Sequence, residues 1–235
     1  MSLAGIFPIE KWDFESKSIL KDLPGDLYEK LLTDTKEQTY KKGEIIFREG
    51  AFPTGIFYIS KGRVKKYKVD KESREHIFYV ANTGELIGYH AILARDRYPD
   101  FAATLEESKI IFIPKENFLE VMNQSTILTN RLLKTLSHEF AVLTNSVTLF
   151  SHKSVRERMA LQLIVLREKY KVDFKEGMTV EINMSRDDLA NLVGTARENV
   201  IRILTEYKEE GIVETKGRKI IITDVNKLIA IADYH

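Results

Sequence analysis

The stretch Ser185 to Tyr207, SRDDLANLVGTARENVIRILTEY, constrains this chain more than any other. Its apolar and small residues are Leu189, Ala190, Val193, Gly194, Val200, Ile203 and Leu204, a pattern that suits two short amphipathic helices broken at Gly194. Ser185 is a good N-cap for the first helix. Gly194 can take the positive φ of a sharp interhelical turn, and Ala190 is small enough for the second helix to cross closely. Val200 and Ile203 then face the junction, and Arg197, Glu198 and Arg202 face outward with donors and acceptors that match base edges in a major groove. The pattern predicts a helix-turn-helix; the alternative is an ordinary helical hairpin with a solvated charged face.

The following residues, KEEGIVETKGRKIIITD, place Ile212 and Val213, then Ile220 to Ile222, on either side of a polar turn at Lys216, Gly217 and Arg218. A β-hairpin after the second helix makes a winged helix, with Lys216, Arg218 and Lys219 at the tip and within reach of phosphates.

The rest of the chain divides by periodicity. Phe7 to Thr35 carries a helical pattern through Leu23, Leu27, Leu31 and Leu32. From Tyr40, the segments KKGEIIFREG, GIFYISKGRVKKYKV, EHIFYVANTGELIGY and SKIIFIP set β-branched and aromatic residues between glycines, which predicts a sandwich or barrel of short strands ending at Pro114. Leu133, Leu136, Phe140, Leu143, Val147 and Phe150 then alternate at spacings of three and four, an a/d seam of the kind one helix offers an identical partner. The other reading lays that helix on its own β domain, and both hold if Leu132 and Val142 pack inward. Val155, Met159, Leu163 and Leu166 mark one stripe of a further amphipathic helix, and Val180 and Ile182 a short strand. No Gly/Ser linker is present, so the long helix itself is expected to join the domains.

Composition sets outer bounds. The 235 residues suit two domains, and no cysteine is present, which excludes disulfides, thiol catalysis and cysteine-held iron–sulfur clusters. Net charge is +1, and Ser185 to Ile220 holds seven basic and seven acidic residues, so DNA binding must rest on segregation of charge by face. Apolar runs fall short of the ~20 residues of a membrane helix. The start, MSLAGIFPIEKW, carries no secretory pattern, and a cytoplasmic location is the default expectation. His138 and His152, about 20 Å apart along one helix, cannot share a metal there.

A glycine-punctuated β domain, a long seam-bearing helix and a C-terminal winged helix, in that order, resemble the Crp/Fnr family of bacterial transcription regulators. The resemblance runs from about Ile19 to Asp224 and rests on YKKGEIIFREG, YISKGRVKKY, GELIG and LANLVGTARENVIRIL. It implies an α+β chain. Residues 1–124 would form a cyclic-nucleotide-binding-type β-roll, 125–151 a dimerisation helix, and 152–235 the DNA-binding domain. It implies a homodimer on a palindromic operator in double-stranded DNA, with RNA polymerase as a further partner. Arg197, Glu198 and Arg202 stand where the cyclic-AMP receptor branch reads bases, so a TGTGA-like half-site is expected, with half-site centres about one helical turn apart. Asn199 and Arg186 are assigned to phosphates or solvent, and Ser185 and Thr195 complete the expected DNA-facing set.

The effector region departs from the family pattern. The candidate pocket comprises Gly84, Glu85, Gly88, Tyr89, His90, Phe101 and Ala102. Cyclic-AMP binders place a glutamate after the GELIG-like turn and later an arginine with a small hydroxyl residue. Here the segments read Gly88, Tyr89, His90, Ala91 and Tyr98, Pro99, Asp100, Phe101, Ala102. A cyclic phosphate needs a cation or clustered N–H donors, and Asp100 has the wrong sign. Cyclic AMP is therefore not expected to bind, although Arg95 and Arg97 lie near. No cofactor or metal is expected; His76 and His90 read as structural before they read as haem ligands. The effector stays open between a small organic acid, a lipid and none. A winged helix that binds protein is the alternative to a DNA reader, and no catalytic constellation stands out.

Overall fold

The computed structural model describes residues 19–171 and 179–233. Within the predicted first helical segment, α1 spans Gly25–Leu31, entered through Pro24 and burying Leu31; residues 7–18 of that prediction lie outside the described residues.

Eight strands follow: β1 (Lys36–Tyr40), β2 (Ile45–Phe47), β3 (Gly55–Lys61), β4 (Arg63–Val69), β5 (Glu75–Asn82), β6 (Leu86–Ile87), β7 (Phe101–Thr104) and β8 (Ser108–Pro114). They pair antiparallel into two four-stranded sheets, ordered β1-β8-β3-β6 and β2-β7-β4-β5. The chain passes from one sheet to the other at Gly62, the single residue between β3 and β4. Its φ is +101°, and a Cβ there would lie 2.2 Å from the Ser108 hydroxyl, so the reversal demands glycine. A short helix, α2 (Tyr89–Ala94), leads towards β7. Neither α2 nor β7 is foreshadowed by periodicity: Phe101–Thr104 contains two alanines, and its strand character comes from pairing with β2 and β4.

The first sheet contributes Ile56, Leu86 and Ile113 to a core shared with Leu31, Tyr89 and Ile92. Phe118 and Val121 of α3 (Lys115–Gln124) join it, as do Leu128 and Leu132 of α4. Helix α4 is a continuous 27-residue helix, Thr126–His152, separated from α3 by Ser125, whose hydroxyl accepts from the Leu128 N–H. One compact unit ends at Ser137 and the other begins at His138, inside α4.

The second unit continues with α5 (Val155–Tyr170), β9 (Glu181–Asn183), α6 (Arg186–Val193), α7 (Arg197–Glu209), β10 (Val213–Lys216), β11 (Lys219–Ile222) and α8 (Val225–Ala232). Ser154 and Glu157 form a capping box at the start of α5. The predicted single stripe on α5 is corrected: beside Met159, Leu163 and Leu166, residues Ala160, Leu161, Ile164 and Val165 are buried too. Helix α8, absent from the sequence reading, packs against α5, while α6, α7 and β9 also lie against it. The small sheet has the order β10-β11-β9.

Candidate nucleic-acid interface

Ser185 caps α6, its hydroxyl accepting from the Asp188 N–H at 3.0 Å. Gly194 closes the helix at φ 71° and ψ 53°, the left-handed conformation expected of the turn. Arg158 of α5 locks that turn: Nε donates to the Val193 carbonyl at 3.0 Å and Nη2 to that of Gly194 at 3.1 Å. Burial pushes the Arg158 pKa down. No local sequence pattern announces Arg158, because the contact spans more than thirty residues.

Helix α7 sorts its residues by face. Val200, Ile203, Leu204 and Tyr207 are buried, whereas Arg197, Glu198, Ile201 and Arg202 are exposed. Ile201, 46% exposed, is an apolar residue off the buried period and was not singled out from the sequence. It shares the exposed face of α7 with Arg197, Glu198 and Arg202. Arg197 lies 3.7 Å from Asp187, and Arg202 donates from Nη1 to Glu206 at 2.5 Å. Asn199 donates to the Thr195 hydroxyl at 3.1 Å, which braces the start of α7 from within.

At the wing, β10 and β11 turn through Gly217 and Arg218, leaving Lys216 and Arg218 exposed. Two basic residues expected near phosphates make contacts within the domain. Arg186 donates to the wing-turn carbonyls of Gly217 and Arg218 at 3.1 and 3.3 Å, a strut between α6 and the wing, and desolvation lowers its pKa. Lys219 pairs with Glu181 of β9 at 2.5 Å. Some of the carboxylates are engaged within the domain, while Asp187, Glu198, Glu209, Glu210 and Glu214 stay exposed. Asp188 is buried beside Ser185, and Glu206 and Glu210 accept from Arg156 of α5 at 3.0 and 2.7 Å. Several carboxylates are thus drawn towards the scaffold.

In the β-roll, His90 of the predicted pocket set meets a buried polar group. Lys66 of β4 is paired across the sheet with Ala102, and its Nζ lies 3.7 Å from Asp100. Asp100 is also 3.2 Å from His90 Nε2. Tyr89 is fully buried edge-on to the His90 ring, and Phe101 stacks on Tyr67. Gly88 begins α2 at φ 82°. Glu85 is held by the Tyr79 hydroxyl at 2.8 Å and the Asn82 N–H at 3.1 Å, and the Gly84 N–H donates to Ile59. Arg97 turns away, donating to the Gly50 carbonyl and stacking on Phe52 at 3.7 Å. Arg95 ends α2 in the left-handed conformation. Lys66 was missed because neighbouring lysines in a strand read as solvated.

Of the seam residues, Leu133, Phe140, Leu143 and Val147 are 57%, 72%, 43% and 67% exposed. Leu136 packs against its own core, as do the buried Leu132 and, elsewhere on α4, Val142 stays buried. The Phe150 side chain lies outside the described residues. No described helix is long and apolar enough to cross a membrane.

The profile described as a cyclic nucleotide-binding domain matches residues 37–125, and that of the Crp-like helix-turn-helix domain matches 157–231. The transcriptional activator protein anr of Pseudomonas aeruginosa is 28% identical over 192 residues, covering 82% of this chain and 78% of the relative. The structure of FixK2 from Bradyrhizobium japonicum superposes with a TM-score of 0.73 at 20% identity, covering 84% of this chain and 96% of that one. A putative regulator from Eubacterium rectale gives 0.71 at 22% identity, covering 93% and 99%. Both domain types in this order, with relatives that regulate transcription, mean that the chain belongs to the Crp/Fnr family of transcription regulators, with a helix-turn-helix DNA-binding domain.

Proposed function

We propose that the chain acts as a homodimer on a palindromic operator with TGTGA-like half-sites, read through Arg197, Glu198 and Arg202. The observation that carries this reading is the sorting of α7, in which these three residues share an exposed face with Ile201 while the alternate face is buried. Arginine donates twice to guanine, glutamate accepts from the cytosine amino group, and isoleucine lies against a thymine methyl. Lys216 and Arg218 serve the phosphates from the wing. Selection from random DNA returns an inverted repeat containing G·C pairs; recovery of no such palindrome overturns the reading. RNA polymerase as a partner and a cytoplasmic place belong to the same proposal.

The dimer forms along the exposed seam of α4. Phe140→Glu sediments as a monomer and loses about a hundredfold in operator affinity, as expected for removal of a central aromatic anchor. In the β-roll, Asp100 faces Lys66 and His90, and Arg97 is committed to Gly50 and Phe52. That arrangement supports an effector other than cyclic AMP, or none; titration calorimetry showing tight cyclic AMP binding refutes it. Any ligand acts by biasing an equilibrium between conformations that differ in operator affinity. The balanced charge of the C-terminal region keeps a protein-binding winged helix as the second reading. A steep salt dependence of DNA affinity separates the two, because phosphate contacts release counterions.

A further inference from the structure

Glu206 sits one turn beyond Arg202 on α7 and is shared by two arginines. Its Oε1 accepts from Arg202 Nη1 at 2.5 Å, and its Oε2 accepts from Arg156 Nη1 at 3.0 Å. Arg156 is itself fixed. Its second nitrogen, Nη2, donates to both oxygens of Glu210 at 2.7 and 2.8 Å, its guanidinium lies 4.9 Å from the centre of the Tyr207 ring, and its carbonyl accepts from the Tyr207 hydroxyl at 2.7 Å. Tyr207 is fully buried, so the chain of contacts is anchored in the core of the winged helix.

We infer that Glu206 is a positioning residue that sets base specificity by holding the guanidinium of Arg202. The inference rests on the proposal that Arg202 reads a base. A free arginine on an exposed helix face samples many rotamers and finds phosphates as readily as guanine. Engaging one nitrogen on a carboxylate that is itself held by Arg156 restricts that search, and it leaves the other donors to the DNA. The neighbouring negative charge also weakens attraction to phosphates, which carry no sequence information. Both effects widen the gap between the right site and the wrong ones. Arg197, 3.7 Å from Asp187 across two well-exposed side chains, has no such anchored partner in the described contacts.

The test compares Glu206→Gln with Glu210→Gln, which makes the same charge change but leaves Glu206 bonded to Arg202 and to Arg156, itself still stacked on Tyr207. Binding is measured on the selected operator, on variants with each half-site base pair changed, and on random-sequence duplex. Glu206→Gln lowers discrimination about tenfold at one base pair, the one relaxed by Arg202→Ala, while random-duplex affinity rises. Glu210→Gln raises random-duplex affinity but leaves discrimination at that base pair intact. Unchanged discrimination in Glu206→Gln, with Arg202→Ala still relaxing one position, overturns the inference alone. A uniform loss in Arg202→Ala across all sequences removes the base-reading role, and the inference falls with it. Thermal unfolding of each variant separates a positioning effect from a loss of fold.

Discussion

In the winged helix, the side chains of Arg197 and Arg202 are 57% and 61% exposed, whereas in the β-roll those of Lys66 and Asp100 are both 4% exposed. The two regions use charge in opposite ways. On α7 the arginines extend into solvent from a helix whose other face supplies the stability, with donors left over beside their pairs to Asp187 and Glu206. Around Asp100 the opposite charges of Lys66 and Asp100 lie together in the interior, and each holds its partner's desolvation in check. Substitution in the β-roll cluster is therefore expected to damage folding, and substitution on α7 to damage recognition.

The largest effect tests this directly. Lys66→Ala leaves a buried carboxylate facing only His90 among these two partners, and urea denaturation records a loss of about 3 kcal/mol or more. Arg202→Ala leaves stability within about 0.5 kcal/mol of the parent but weakens the preferred operator by about 1 to 3 kcal/mol. Equal stability losses in the two variants break the contrast.

Arg186 sharpens it from within the winged helix, because it is a basic residue engaged with backbone. Arg186→Ala removes the two bonds to the wing turn and lowers stability by about 1 kcal/mol. The slope of DNA affinity against salt stays as it was, since no phosphate contact is lost; a slope reduced by about one returns Arg186 to the backbone-contacting set.

The smallest effect concerns acid. Hydrogen bonds from Ser154, with Lys153 nearby, hold the Glu157 carboxyl below its ordinary value of 4.5. The carboxylate is favoured in the folded state, so its contribution is complete above that value and is lost as pH falls through the lower, folded one. Glu157→Gln keeps the capping geometry and removes this part of the acid dependence, with less than about 0.5 kcal/mol change at neutral pH.

Much of the winged helix is legible in the sequence because its determinants are local. Ser185 and Gly194 act on their own backbone, and the residues that separate Val200 and Ile203 from Arg197 and Arg202 lie within two helical turns. The β-roll is legible as strands and glycine turns, but its polar interior is not. Lys66, His90 and Asp100 come from a strand, a helix and a loop, and only the pairing of β4 with β7 brings them together. The same limit applies to α5, whose all-round burial depends on α8, more than fifty residues downstream.

For this protein the order of periodicities, with turn residues at their local positions, determined most of the element types, though not α2, β7 or α8, together with the helix-turn-helix and the outward triplet, because each of these depends on neighbours along the chain. The engagement of the charges was decided by the tertiary structure alone. Arg186 meets the wing, Lys219 meets Glu181, and Arg156 ties Glu206 to the scaffold. A guanidinium on an exposed pattern reads the same whether it faces DNA, a carbonyl or a carboxylate; distance in space selects among them.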